Sequence, residues 1–173
     1  MIAWLRRSLL QGEGVKPIVL SALVSLVAAV PVHAAESPFE WKVPEGWKMT
    51  VDEKVQFHTF KIQEGGVMMF SQWPAPTKPA EISKTVKDMA RRFPELVKAK
   101  GVKLKKDEAT AGEIKGVLFE GSFALFEMEF PKDYVQTMYM VHDGKGGIFN
   151  GQFTGNTADW EKGLEMLKTA KAK

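Results

Sequence analysis

Three changes in the period of the apolar residues constrain the fold of this chain more than any other feature. Phe39-Glu40-Trp41-Lys42-Val43 alternates apolar and polar residues, the pattern of a half-buried strand. Pro44-Glu45-Gly46 turns the chain, since Pro presets its own φ and Gly accepts a positive one, and Trp47 to Val51 reads as a returning strand. Val55 to Ile62 and Val67 to Trp73 are rich in β-branched and aromatic residues, and Glu64-Gly65-Gly66 joins them as a hairpin. Trp73-Pro74-Ala75-Pro76-Thr77-Lys78-Pro79 must be a loop, because its prolines cannot donate to a sheet ladder.

The period then changes. Ile82, Val86, Met89, Phe93 and Val97 recur every three or four residues, the apolar stripe of an amphipathic helix. Pro94 lies inside that stripe, so the helix kinks there or restarts with Pro94 in its first turn, and Gly101 ends it. Alternation returns at Val102 to Lys106, and two further strand-like stretches lie between Lys115 and Phe130, bent near Gly121. Tyr134 to His142 and Gly147 to Phe153 flank Asp143-Gly144-Lys145-Gly146 as a second hairpin. Asn156 or Thr157 caps a last helix with Trp160, Leu164 and Leu167 on one face; Gly163 weakens it, so packing has to secure it. The order predicts one α+β domain, an antiparallel sheet with helices packed on it.

The N-terminus decides which residues belong to that domain. Arg6, Arg7 and Lys16 precede an apolar run from Ile18 to Val30, and Val32-His33-Ala34-Ala35 offers the small residues of a signal-peptidase site. The run is shorter than the roughly 20 residues of a membrane span, so residues 1–35 read as a cleaved export signal and 36–173 as the mature domain. Arg6-Arg7-Ser8-Leu9-Leu10 also fits a loose twin-arginine signal. The chain has no cysteine, hence neither disulfides nor a cysteine-linked lipid, and the expected location is periplasmic or secreted with no membrane span after processing. The 138 residues left after Ala35 are enough for one cored domain without staples. They carry 21 basic and 20 acidic residues, and that near-neutral balance argues against nucleic acid as a partner.

Phe39 to Trp47 with its Pro-x-Gly-Trp turn, the long helix after a proline-bearing loop, the meander, and a closing helix after Asn156-Thr157-Ala158-Asp159-Trp160 together resemble the PsbP-like fold. The resemblance covers nearly all of the mature chain and implies a three-layer α/β/α sandwich. It implies no catalytic residues.

Several side chains are candidates for a site. Trp41 and Trp47 flank a tight turn, and each buries roughly 150 to 250 Å², so their expected role is structural. Trp73 is the aromatic expected at the surface, beside a loop around Pro76 whose prolines leave little entropy to lose on binding. Lys98, Lys100, Lys103, Lys105 and Lys106 form a basic ridge, read either as a helix C-terminus followed by a charged edge strand or as a docking ridge for an anionic envelope component or an acidic partner. Glu120, Glu127 and Glu129 read as a solvated strand face.

Met138-Tyr139-Met140-Val141-His142 lines up two thioethers and an imidazole on one strand face, soft donors suited to copper(I) or silver, although Met also fills gaps beneath helices. If Ile62 pairs with Val67, His58 stands opposite Ser71, the minimum for a hydrolase-type nucleophile, but no nucleophile elbow surrounds Ser71. The expectation is therefore an exported, non-catalytic binding or accessory protein without a cofactor, contacting a protein or envelope component through Trp73, Pro76, Lys103, Lys105 and Lys106. A soft-metal binder using Met138, Met140 and His142 comes second and a hydrolase third.

Overall fold

The computed structural model describes residues 37–173 apart from Glu53, Val55 and Glu64, so the expected export signal of residues 1–35 and its expected cleavage after Ala35 lie outside the described residues. The chain runs β1 (Phe39–Glu40), β2 (Trp47–Asp52), β3 (Phe57–Ile62), β4 (Val67–Gln72), a single 3-10 turn (Pro79–Glu81), α1 (Ile82–Lys98), β5 (Thr110–Lys115), β6 (Glu120–Glu127), β7 (Tyr134–His142), β8 (Ile148–Asn156), α2 (Thr157–Thr169) and β9 (Lys171–Ala172). Seven strands form one antiparallel sheet in the order β2-β3-β4-β8-β7-β6-β5. The α+β class expected from the sequence is the class observed.

The two faces of β7 show how the helices attach. Successive strand residues point to opposite faces. Met138 and Met140 pack with Ile82, Val86, Ala90, Phe93 and Val97 of α1, whereas Tyr139 and Val141 join the core that contains Trp160, Met166 and Leu167 of α2. Seven consecutive residues of β7, Val135 to Val141, are buried, as a strand covered on both faces requires. The helix over Met138 and Met140 is continuous through Pro94. It stops at Gly101, which takes φ 75° while Val102 N–H returns to the Val97 carbonyl. Asn156 caps α2 by accepting from the Asp159 N–H. A Cβ on Gly163 would sit 2.9 Å from Met68 Sδ and 3.4 Å from Trp47 Cη2, so the residue that weakens α2 is also what lets it approach β2 and β4.

Four expectations need correction. Phe39–Glu40 pairs with Lys171–Ala172 and not with the strand after the turn; β2 pairs with β3 instead. Val102 to Lys106 contributes only the bridge Leu104 to Met128, flanked by Lys105 N–H to the Glu127 carbonyl and Glu129 N–H to the Lys103 carbonyl, both at 2.9 Å, and the pairing extends no further. The edge strand β5 lies where no strand was expected: Thr110-Ala111-Gly112-Glu113 has almost no apolar alternation, and its outer edge has no partner to bury it against. The β3–β4 hairpin is one residue out of the expected register: Lys61 pairs with Val67, so His58 faces Phe70. Ser71 pairs with Asn150 on β8 and its hydroxyl donates to Asn150 Oδ1 at 3.0 Å, leaving it no imidazole.

The turn at Pro44-Glu45-Gly46 is closed by Trp47 N–H to the Pro44 carbonyl at 3.1 Å, with Gly46 at φ 79°. Trp47 is buried in the α2-side core, and Trp41 stacks on Phe119 with centroids 5.8 Å apart while meeting Phe60 and Phe70 edge-on. Both indoles hold the fold.

Candidate functional site

A cleft of about 550 Å³ opens between α1 and the β5–β6 edge of the sheet. It exists because the sheet offers little volume there: Ala111 and Ala124 stand opposite each other on β5 and β6, beside Ala90 of the helix. One helix wall is made by residues three or four apart, Ser83, Lys87 and Arg91, which share a face of α1. The facing wall carries Asp107, Glu108 and Glu113. The cleft is thus an apolar trough between a basic and an acidic wall, of a size that admits a small molecule or a few side chains of a partner. Lys115 hydrogen-bonds Glu113 at 2.7 Å and holds its carboxyl below the usual range, so Glu113 stays an anion near neutral pH. A smaller hollow of about 180 Å³ shares Ser83, Glu113 and Ser122 with the cleft and reaches His142.

The residues singled out in the sequence fall around this cleft but do not converge. Trp73 is half-buried against the α1-side core, its indole N–H donating to Thr77 Oγ1 at 3.0 Å and its backbone N–H to the Ile148 carbonyl at 2.8 Å. The exposed aromatic expected there is instead anchored, and Pro76 alone of that pair is exposed. The lysine ridge follows the other end of α1. A helix of 17 residues is roughly 25 Å long, so the proline loop before it and the ridge after it are two surfaces and not one.

Within the ridge, Lys98 pairs with Asp107 at 2.5 Å and Lys105 with Glu127 at 2.8 Å. The second pair holds Glu127 below and Lys105 above their ordinary values through their mutual hydrogen bond. Lys103 and Lys106 are exposed. Glu127, read as part of a solvated face, therefore ties the ridge to β6.

Met138 is nearly and Met140 fully buried beneath α1, while His142 lies half-exposed at the strand end, its Nδ1 accepting from Gly144 N–H at 3.2 Å. The three do share one strand face, but α1 covers the two thioethers. Among the described residues no group of three or more His, Asp or Glu side chains is placed to hold a metal ion.

The imidazole of the hydrolase reading has a different hydroxyl partner from the one expected. His58 Nε2 lies 2.8 Å from Ser37 Oγ, which also accepts from Phe39 N–H and Trp41 Nε1, both at 3.0 Å. Both residues are buried. Two accepted hydrogen bonds use both lone pairs of that oxygen, so it has none left for attack. The sequence held no local signal for this pairing, since the two residues are 21 positions apart. The acidic wall was equally hidden because Asp107, Glu108 and Glu113 belong to a loop and strand with no apolar rhythm.

No protein-family model and no curated protein matches the chain. Among solved structures it is similar to the solution structure of a cyanobacterial PsbP (CyanoP) from Synechocystis, at 11% identity, with 79% of this chain and 88% of that chain covered and a TM-score of 0.48. That level of likeness assigns neither a site nor a role. Among the described residues no helix is long and apolar enough to cross a membrane.

Proposed function

We propose that this is an exported, non-catalytic accessory protein, built as a PsbP-like three-layer α/β/α sandwich, that docks a segment of a partner protein in the cleft beside α1. The observation that carries the reading is the pair of opposed charged walls, Lys87 and Arg91 facing Asp107, Glu108 and Glu113 across a floor of alanines. Walls of opposite sign fit a peptide segment that presents both charges, and they fit a uniformly anionic polymer poorly, because the lysines beside the acidic wall are already engaged, Lys98 by Asp107 and Lys115 by Glu113, and Glu108 would repel it. The attachment of the two helices to opposite faces of β7 supports the layered arrangement, and the basic, then apolar, then small-residue order of residues 1–35 supports export.

The test is to fill the cleft. Ala111→Trp places an indole on the exposed edge strand, where the fold tolerates it, and removes the trough. Crosslinking in the native envelope should yield an adduct with the parent protein and with Lys103, Lys105 and Lys106 replaced by Gln, but none with Ala111→Trp. A folded Ala111→Trp variant that crosslinks like the parent removes the cleft from the proposal, and loss in the triple Gln variant alone moves the site to the ridge.

A further inference from the structure

The Ser37 and His58 pair has consequences of its own. Ser37 is the first residue the structure describes, and its oxygen gathers three polar partners in a buried site: Phe39 N–H, Trp41 Nε1–H and His58 Nε2. The first two can only donate, so the serine's own hydrogen must go to Nε2 and the ring must be the neutral tautomer with its proton on Nδ1. Nδ1 is buried and makes no hydrogen bond of normal geometry, with only the backbone of Gln56 and Phe70 close enough to favour a proton on the ring. Aromatic rings enclose the imidazole, with Phe39, Trp41 and Phe70 at centroid distances of 6.0, 5.8 and 5.7 Å.

Among the described residues no charged side chain acts on the ring to compensate an imidazolium. From β2 it stands opposite Val51, from β4 opposite Phe70, and from the N-terminal segment it meets Ser37, Phe39 and Trp41. Glu40 and Lys42, the charged residues of that segment, are exposed. A second proton would put a donor on Nε2, aimed at an oxygen whose lone pairs are already taken, and would place a cation in a largely aromatic enclosure that only the Gln56 and Phe70 backbone counters. Burial accordingly holds the imidazole below its ordinary value of 6.5, against a smaller opposing effect of the Gln56 and Phe70 backbone.

We infer that His58 is an acid-sensitive latch: protonation of its ring expels Ser37 and frees the Ser37–Trp41 segment, and with it the ribbon of β1 and β9, from the aromatic face of the sheet. The ribbon follows because β1 and β9 pair with each other in a two-stranded sheet separate from the main one. Phe39 and Glu40 pair only with Ala172 and Lys171, and Lys173 N–H adds one bond to the Pro38 carbonyl. The segment's hold on the domain is the aromatic packing of Phe39 and Trp41 on Phe70, Phe119 and Phe149 together with the serine knot. Its release would uncover those three rings, so in acid the protein would present an apolar face that it hides at neutral pH.

Hydrogen exchange from pH 8 to 5, corrected for intrinsic rates, tests this on the whole exported protein. The amides of Phe39 and Lys173 should lose protection about tenfold per pH unit below 6.5, one proton being taken up on opening. Over the same range those of β7 should stay far better protected and dichroism should report a folded sheet. In His58→Gln the pH slope at Phe39 and Lys173 should vanish. Exchange of the ribbon at the β7 rate at every pH, or the same slope in His58→Gln, overturns the latch. If His58→Gln does not fold, nitrogen resonances of the wild-type ring decide: Nε2 should remain unprotonated until the ribbon amides open. An imidazolium forming while Phe39 and Lys173 stay protected also overturns it.

Discussion

Tyr139 on β7 donates its hydroxyl hydrogen to the Met69 carbonyl on β4, 2.5 Å away, across the intervening strand β8. It reaches that far because Gly151, which pairs with Tyr139 on one side and Phe70 on the other, has no side chain to obstruct the ring. Burial raises the phenol well above its ordinary value of 10, so it remains a donor at any physiological pH. The pair ties the centre of the sheet together. Tyr139→Phe should cost roughly 1 to 3 kcal/mol by removing a hydrogen bond from a part-buried carbonyl. Gly151→Ala should cost at least the upper end of the roughly 1 to 3 kcal/mol of overpacking, because its Cβ would meet both the ring and the Met69 carbonyl oxygen, a backbone atom that cannot step aside. Urea unfolding measures both; a neutral Gly151→Ala would show that the sheet yields there.

Trp47→Ala should destabilise by roughly 3 to 5 kcal/mol as a large-to-small core change, since the indole is buried against α2. A variant that melts like the parent but loses its partner would make Trp47 a binding residue instead.

Replacing Lys103, Lys105 and Lys106 with Gln should leave the melting temperature nearly unchanged, because the Lys105–Glu127 pair is solvent-exposed and screened. A large drop would assign the ridge a structural role in holding the 99–109 connection to β6.

Stability should fall as pH drops below 6.5. His58 has a depressed value in the folded protein, so the unfolded chain binds more protons between that value and 6.5; the stability it contributes is complete above 6.5 and is lost as pH falls through the folded value. Glu113 and Glu127 are also depressed, from 4.5, and act in the same direction but at lower pH. Urea midpoints between pH 8 and 5 isolate the histidine, and a flat curve over that window contradicts the assignment.

Met140→Ala should lower stability by roughly 2 to 5 kcal/mol, because the side chain is fully buried beneath α1. Silver ion should leave the melting temperature of the parent unchanged. A saturable shift abolished by His142→Ala would restore the soft-metal reading; a ligand at 100 times its dissociation constant would add about 2.7 kcal/mol.

Much of this fold is legible along the chain. The stripe of Ile82, Val86, Phe93 and Val97 defines α1, the cap at Asn156 starts α2, and the alternation of Trp47 to Val51 and the doubly buried run of Tyr134 to His142 define strands, because each pattern reports which face a short segment must bury. The burial of Trp47 and of Met138 and Met140 follows from the same logic. Periodicity does not report which distant segment supplies the other half of a contact. That Phe39–Glu40 pairs with the last residues of the chain, that His58 meets Ser37 and not Ser71, and that Lys87 and Arg91 face Glu108 and Glu113 over small residues were decided by tertiary structure alone. One residue of register in the β3–β4 hairpin changes the partner of every side chain on it. The trough beside α1 is defined by the volume that alanines leave empty, and a missing side chain has no pattern until the elements around it are packed.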